Sequence, residues 1–361
     1  MKKITVLIVD DSAVVRKILT EILSSDKEIE VVGTAMDPYI ARDKIKKLHP
    51  DVLTLDVEMP KMDGISFLRN VMRLRPMPVV MISSLTQKGA DIALEALSIG
   101  AVDYISKPKI DIAHELSGYA EEIIEKVKTA AHAKILPNTS ELSSVTMMHR
   151  KSIESLNKLR KKKPQEKLKT TEKIIAIGAS TGGTEAIKEV LINMRPDSPA
   201  IVIAQHIPKA FSSAFSRRMD SLSPMAVCEA VDGQHVLPGH AYIAPGDRHL
   251  ILVREGARYY IKLDDGEPCN RHKPSVDVMF RSVEEAAGDN AVGVLLTGMG
   301  ADGARGLKQM HDSGSKTIAQ DENSSVVWGM PGEAVKLKAT DYVLPLNKIA
   351  QKIQLLISEA K

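Results

Sequence analysis

The stretch "GASTGG", residues 178–183, sets a hydroxyl in a glycine-rich turn. An apolar run, residues 174–177, precedes it, and a helix-patterned segment, 184–191, follows. A dinucleotide-binding loop with G-x-G-x-x-G spacing would need glycine at 178, 180 and 183, but position 180 is Ser180. A side chain there occupies the space a pyrophosphate would need. Its oxygen instead stands at the mouth of a helix, where backbone N–H groups can stabilise an oxyanion. Such a serine is suited to nucleophilic attack if a base is near. His206 follows the run "AIVIAQ", and Asp302 lies in "MGADGARG" after the run "AVGVLLTG". If these runs are parallel strands of one sheet, their carboxyl ends share an edge, bringing a nucleophile, a base and an orienting carboxylate together. The chain order, Ser-His-Asp, differs from the Ser-Asp-His order of α/β-hydrolases. On sequence alone Ser180 could instead cap a helix, and Asp302 is placed to cap "GARGLKQM". His235, His240, His249, His272 and His311 remain rival bases.

A second constellation lies near the amino terminus. Asp10 and Asp11 end the run "TVLIVD", and Asp56 ends "DVLTLD". At one edge of a parallel sheet these acids would repel one another unless a cation sat among them, and hard oxygen ligands favour Mg²⁺. Ser83 ends the next apolar run and Lys107-Pro108 follows another, so a hydroxyl and an ammonium could hold a phosphoryl group on Asp56.

Composition is consistent with a soluble protein of roughly two domains. The 361 residues are 43% hydrophobic and 26% charged, with a net charge of +3. The charge requires no polyanionic partner, and 3% aromatics disfavours base-stacking platforms. Cys228 and Cys269 fit no metal or redox spacing and suit a reducing cytoplasm. No apolar run reaches the roughly 18 residues of a membrane helix.

The elements that must position these residues are short β-branched runs alternating with amphipathic segments, up to about residue 131 and again after 173. Between them lies a segment rich in Ser, Thr, Lys and Met. Residues 150–173 hold ten Lys/Arg against three Asp/Glu, which reads as a solvated basic linker, with a short helix through Ile153, Leu156 and Leu159. Residues 249–263 alternate around Glu255-Gly256 and predict an antiparallel hairpin at a sheet edge.

Residues 1 to about 125 resemble a two-component receiver domain, on the acids, Ser83 and Lys107 just named. The resemblance implies a doubly wound parallel sheet of flavodoxin-like order. It implies Asp56 as phospho-acceptor, with Asp10, Asp11, Asp56 and the backbone carbonyl of Glu58 binding Mg²⁺. It also implies Ser83 and Tyr104 as switch residues, and Lys107 on the phosphoryl group beside a cis Pro108. Residues 172–361 resemble the catalytic domain of the chemotaxis protein-glutamate methylesterase (CheB) family. The matching stretches are "IGASTGGTEAI", "AQHIP", "YIAPGDRHL", "KPSVDVMF", "LLTGMGADGARG" and "QDENSSVVWGMPGEA". This implies a second doubly wound α/β domain in which Ser180 is nucleophile, His206 general base and acid, and Asp302 its orienter. The backbone N–H groups of Thr181 and Met299 would form the oxyanion hole. The expected organisation is a receiver (1–125), a linker (126–171) and a catalytic domain (172–361). The expected activity is hydrolysis of glutamyl methyl esters on chemoreceptors, with deamidation of certain glutamines, controlled by phosphorylation from a chemotaxis histidine kinase. No cofactor at the esterase site, no nucleic acid and no membrane insertion are expected, and the location is cytoplasmic.

Overall fold

The computed structural model describes residues 2–83, 86–107, 116–135 and 173–358. Pro108 and the basic segment up to residue 172 lie outside the described residues. The chain divides into two units, Met1–Asn138 and Thr139–Lys361.

The first unit runs β1 (Ile4–Val9), α1 (Ala13–Ser24), β2 (Ile29–Ala35), α2 (Pro38–Leu48), β3 (Val52–Asp56), α3 (Gly64–Leu74), β4 (Val79–Ser83), α4 (Gln87–Ile99), β5 (Asp103–Ser106) and α5 (Leu116–His132). All its strand pairs are parallel, in the order β2-β1-β3-β4-β5. That is the doubly wound, flavodoxin-like order. Residues Val6 to Val9, and all of β3 and β4, are buried, as strands with both faces covered by helices must be. Side chains that compete with helix hydrogen bonds mark the helix starts. Ser12, Asp37, Asp63 and Thr86 each accept an N–H from the first turn of α1 to α4. α5 passes through residue 125, the boundary expected from sequence, and ends at His132.

The second unit runs β6 (Ile174–Ala179), α6 (Gly183–Ile192), β7 (Ala200–Gln205), α7 (Lys209–Leu222), β8 (Ala226–Glu229), β9 (His240–Ile243), β10 (His249–Glu255), β11 (Arg258–Asp264), α8 (Val276–Ala287), β12 (Ala291–Leu295), α9 (Ala304–Asp312), β13 (Lys316–Gln320), α10 (Met330–Lys336), β14 (Tyr342–Leu344) and α11 (Leu346–Ser358). Seven strands form a sheet of order β14-β13-β12-β6-β7-β9-β8, parallel throughout. β7 to β9 lie on one side of β6, and β12 to β14 on the other. The edge between β6 and β12 is therefore the topological switch point, where open α/β sheets present their ligand sites.

The hairpin exists, with Glu255 facing Arg258 across the turn, but its placement differs from the sequence expectation. β10 and β11 form a separate two-stranded sheet instead of extending the edge of the large one. Its apolar face, Leu250, Leu252, Tyr259 and Ile261, joins Val276, Met279 and Phe280 of α8 in the core. Leu250, Leu252, Tyr259 and Ile261 are all buried there, so packing on α8 removes this face from water.

Candidate active site

Ser180 follows directly from β6. Its N–H donates to Thr297 O at 3.0 Å, and its carbonyl accepts from Gly183 N at 2.7 Å, which closes the turn into α6. Two glycines are required here. Gly182 has φ 77°, and a Cβ on Gly183 would collide with Gln205 Oε1. β7 pairs in register with β6, Ala179 opposite Gln205, so the next residues, Ser180 and His206, emerge side by side. His206 Nδ1 lies 3.1 Å from Ser180 Oγ, and His206 Nε2 lies 2.8 Å from Asp302 Oδ2. The three residues that sequence places at strand ends are thus brought together.

Asp302 is 2% exposed and surrounded by donors. Oδ2 accepts from His206 and from Val276 N at 2.7 Å. Oδ1 accepts from Ser275 Oγ and Asn270 Nδ2, each at 2.8 Å, and from Asp277 N at 3.2 Å. Burial opposes its ionisation. The hydrogen bond and charge of His206, with the donors Asn270 and Val276, outweigh burial and hold the carboxyl far below the usual carboxylate range. An ionised carboxylate can only accept, so the proton on His206 sits at Nε2, leaving Nδ1 free to take the Ser180 hydroxyl proton.

Asp302 does not cap the helix it precedes. It caps α8, and Asp277 of α8 returns the favour by accepting Gly306 N of α9 at 2.7 Å. This exchange locks two helix starts together, because each supplies the carboxylate the other's free N–H groups need.

The rival histidines are held elsewhere. His249 is buried, with Nδ1 accepting from Ser275 N and Nε2 against Glu267 O, both at 3.1 Å. His235 stacks on Tyr260 and His240 on Tyr242, while His311 lies 3.4 Å from Asp312. His272 is the exception. Its ring stacks on His206 with centroids 3.7 Å apart.

Several site residues escaped the sequence reading. Gln205 Nε2 donates to Ser180 O at 2.9 Å and His206 O at 3.1 Å, clamping the two turns together. Thr297 Oγ1 lies 3.0 Å from Thr181 O and from Val327 O, bracing the loops around the serine. Gln205, Ser275 and Asp277 fall inside stretches quoted above for the family resemblance. Asn270 carries no local signal.

In the first unit the oxygens of Asp10, Asp11 and Asp56 lie within 4.8 Å of one another. Asp10 and Asp56 are fully buried. Lys107 Nζ donates to Asp56 Oδ2 at 2.8 Å and lies 3.9 Å from Asp10 Oδ2. Asp10 Oδ2 has no hydrogen-bond partner. Burial and the charge of Asp10 push the Asp56 carboxyl up to about 6 against the pull of Lys107, and burial raises Asp10 too. A buried carboxylate oxygen facing two further acids fits a cation. Glu58 N donates to Asp56 Oδ1 at 3.2 Å, so Glu58 adjoins the cluster. Ser83 is buried with Oγ donating to Gly89 O at 3.0 Å, and Tyr104 is buried. Lys126 covers the Tyr104 ring at 5.0 Å and donates to its carbonyl at 2.7 Å.

Residues 175–353 match the family described as CheB methylesterase, and residues 6–115 match the response regulator receiver domain. The chain belongs to the CheB methylesterase family. A protein-glutamate methylesterase/protein-glutamine glutaminase of Hydrogenovibrio crunogenus is 57% identical over 376 residues, covering 99% of this chain and 100% of that one. A protein of the same name from Nitrosomonas europaea is 51% identical, covering 98% of this chain and 96% of that one. The crystal structure of the Thermotoga maritima CheB methylesterase catalytic domain is 39% identical. It covers 51% of this chain and 99% of that one, with a TM-score of 0.50. The expected fold class, a receiver followed by a second parallel-sheet α/β domain, holds in both units.

Proposed function

We propose that this chain is a phosphorylation-regulated protein-glutamate methylesterase that also deamidates glutamine. The observation that carries the reading is the hydrogen-bonded line from Ser180 Oγ through the His206 ring to an Asp302 carboxylate that only accepts. His206 Nδ1 takes the serine proton as Oγ attacks the carbonyl of a glutamyl methyl ester. Backbone N–H groups of Thr181 and Met299 stabilise the oxyanion. The C–O bond to the methoxy group breaks, and His206 returns the proton to give methanol. Water, deprotonated by His206, then attacks the acyl-serine, releasing glutamate and restoring Ser180. A glutamine side chain gives the same acyl-serine with ammonia as the leaving group. These steps use no metal at this site.

The substrate is a methyl-accepting chemoreceptor, and the phosphodonor is a chemotaxis histidine kinase that phosphorylates Asp56. Asp10, Asp11, Asp56 and the Glu58 carbonyl would hold Mg²⁺, which supplies charge neutralisation for phosphoryl transfer. Lys107 and Ser83 contact the phosphoryl oxygens, and Tyr104 repacks in response. Among the described residues no helix is long and apolar enough to cross a membrane. The test is methanol release from methylated receptor membranes, with and without a phosphodonor and Mg²⁺. Release by the wild type and none by Ser180→Ala is expected; equal release by both overturns the reading.

A further inference from the structure

Asn270 joins two buried carboxylates. Its Nδ2 donates to Asp302 Oδ1 and to Asp277 Oδ2, both at 2.8 Å. Each acid is 2% exposed. An amide nitrogen carries two protons, one for each acid, and the reverse orientation would set a third acceptor against both, so the orientation is forced. Asp277 is committed on its other oxygen to Gly306 N, and Asp302 is committed to His206 and the start of α8. Neither acid can turn away from the other without releasing a helix cap.

We propose that Asn270 is a positioning residue for ester hydrolysis: its amide separates two like charges and keeps the Asp302 carboxylate aimed at His206. The inference rests on the Ser180–His206–Asp302 reading above. Without the amide, two carboxylates face each other across a site of low dielectric, where repulsion is strong. Asp302 then shifts toward the Val276 N–H, and the His206 ring loses its aligned acceptor. Substrate contacts are untouched, so the loss falls on turnover and leaves binding unchanged.

A purely structural role for Asn270 is separable. Asn270 and Arg271 both have positive φ, 53° and 69°, in a tight turn closed by Cys269 N donating to His272 O and His272 N to Cys269 O. Asparagine suits such a turn, and glycine suits it equally. Asn270→Gly therefore keeps the turn and removes only the amide. In the full-length protein, assayed on receptor membranes carrying labelled glutamyl methyl esters, Asn270→Gly should lower kcat about 10- to 100-fold with KM within about threefold. Adding Asp277→Asn should recover most of that loss, because the amide oxygen still accepts Gly306 N while the second charge is gone. A kcat for Asn270→Gly within twofold of wild type overturns the proposal. So does a loss that Asp277→Asn leaves unrelieved. A wild-type protein that releases no methanol would instead overturn the parent reading.

Discussion

Replacing Asp302 by asparagine separates charge from shape at the centre of the site. The carboxylate accepts five hydrogen bonds from His206, Val276 N, Ser275 Oγ, Asn270 Nδ2 and Asp277 N. An asparagine must point its NH₂ at one of two sets of donors. The less costly choice faces Val276 N–H and His206, since the other faces three donors. That orphans a buried N–H at the start of α8, at about 1–3 kcal/mol. It also removes a negative charge from a helix N-terminus, worth about 0.3–2 kcal/mol. The sum is a destabilisation of about 1–5 kcal/mol. His206 must then offer a lone pair to the amide, moving its proton to Nδ1, where it can no longer accept from Ser180. In a triad of this kind the wrong tautomer costs roughly 10⁴-fold in kcat. The single tryptophan, Trp328, lies in the second unit, so its fluorescence follows urea unfolding of that unit alone. The pH dependence has a definite sign. The folded carboxyl ionises below its unfolded value of about 3.9, so its stabilisation is complete above that pH and is lost as pH falls below it. The stability gap between wild type and Asp302→Asn should therefore be full at neutral pH and close below about pH 4. A variant within about 0.5 kcal/mol of wild type at pH 7, with turnover within tenfold, would falsify the anchoring of Asp302.

Ser180→Ala should abolish methanol release, leave the unfolding free energy followed in urea by Trp328 fluorescence within about 0.5 kcal/mol of wild type, and still accept phosphate on Asp56. Gly298→Ala should cost about 1–3 kcal/mol and reduce turnover, since its Cβ would press on Met330 Sδ and come 2.8 Å from Ser180 Cβ; wild-type kinetics and melting would show that the loop yields freely. Asp56→Asn should remove stimulation by phosphodonor and Mg²⁺ while retaining basal methanol release, so persisting stimulation would assign the phosphoryl group elsewhere. In EDTA, Asp10→Asn should melt the first unit at a higher temperature than wild type, because it neutralises a buried carboxylate with an unpartnered oxygen, and Mg²⁺ should stabilise only the wild type; calorimetry on both proteins, with and without Mg²⁺, decides it.

Local pattern was enough to read the alternating strands and helices and the residues at strand ends, because β-branched runs and helical periodicity are properties of short segments. Parallel strands must then point their carboxyl ends to one edge, so Ser180, His206 and Asp302, like Asp10, Asp56 and Lys107, were legible before any coordinates. Spacing alone left the choice among histidines open; the family resemblance singled out His206, and the fold sets its ring between Ser180 and Asp302. His249 is a buried bridge between Ser275 N and Glu267 O, and nothing within its own segment reveals those partners. Asp302 looks in sequence like the cap of the helix just after it, yet it caps α8, some two dozen residues earlier in the chain, because loop closure brings that helix start nearer to its carboxylate. The hairpin was legible as a hairpin from its alternation, but its partner surface, α8, is a tertiary contact that alternation within the segment cannot name. Asn270 and Gln205 are the clearest residues of this kind. Each is an ordinary polar side chain by sequence, and each matters because the fold places a single amide between two groups that are remote or only adjacent in chain order. Secondary structure follows from nearest neighbours along the chain, whereas hydrogen-bond satisfaction of buried charge depends on neighbours in space.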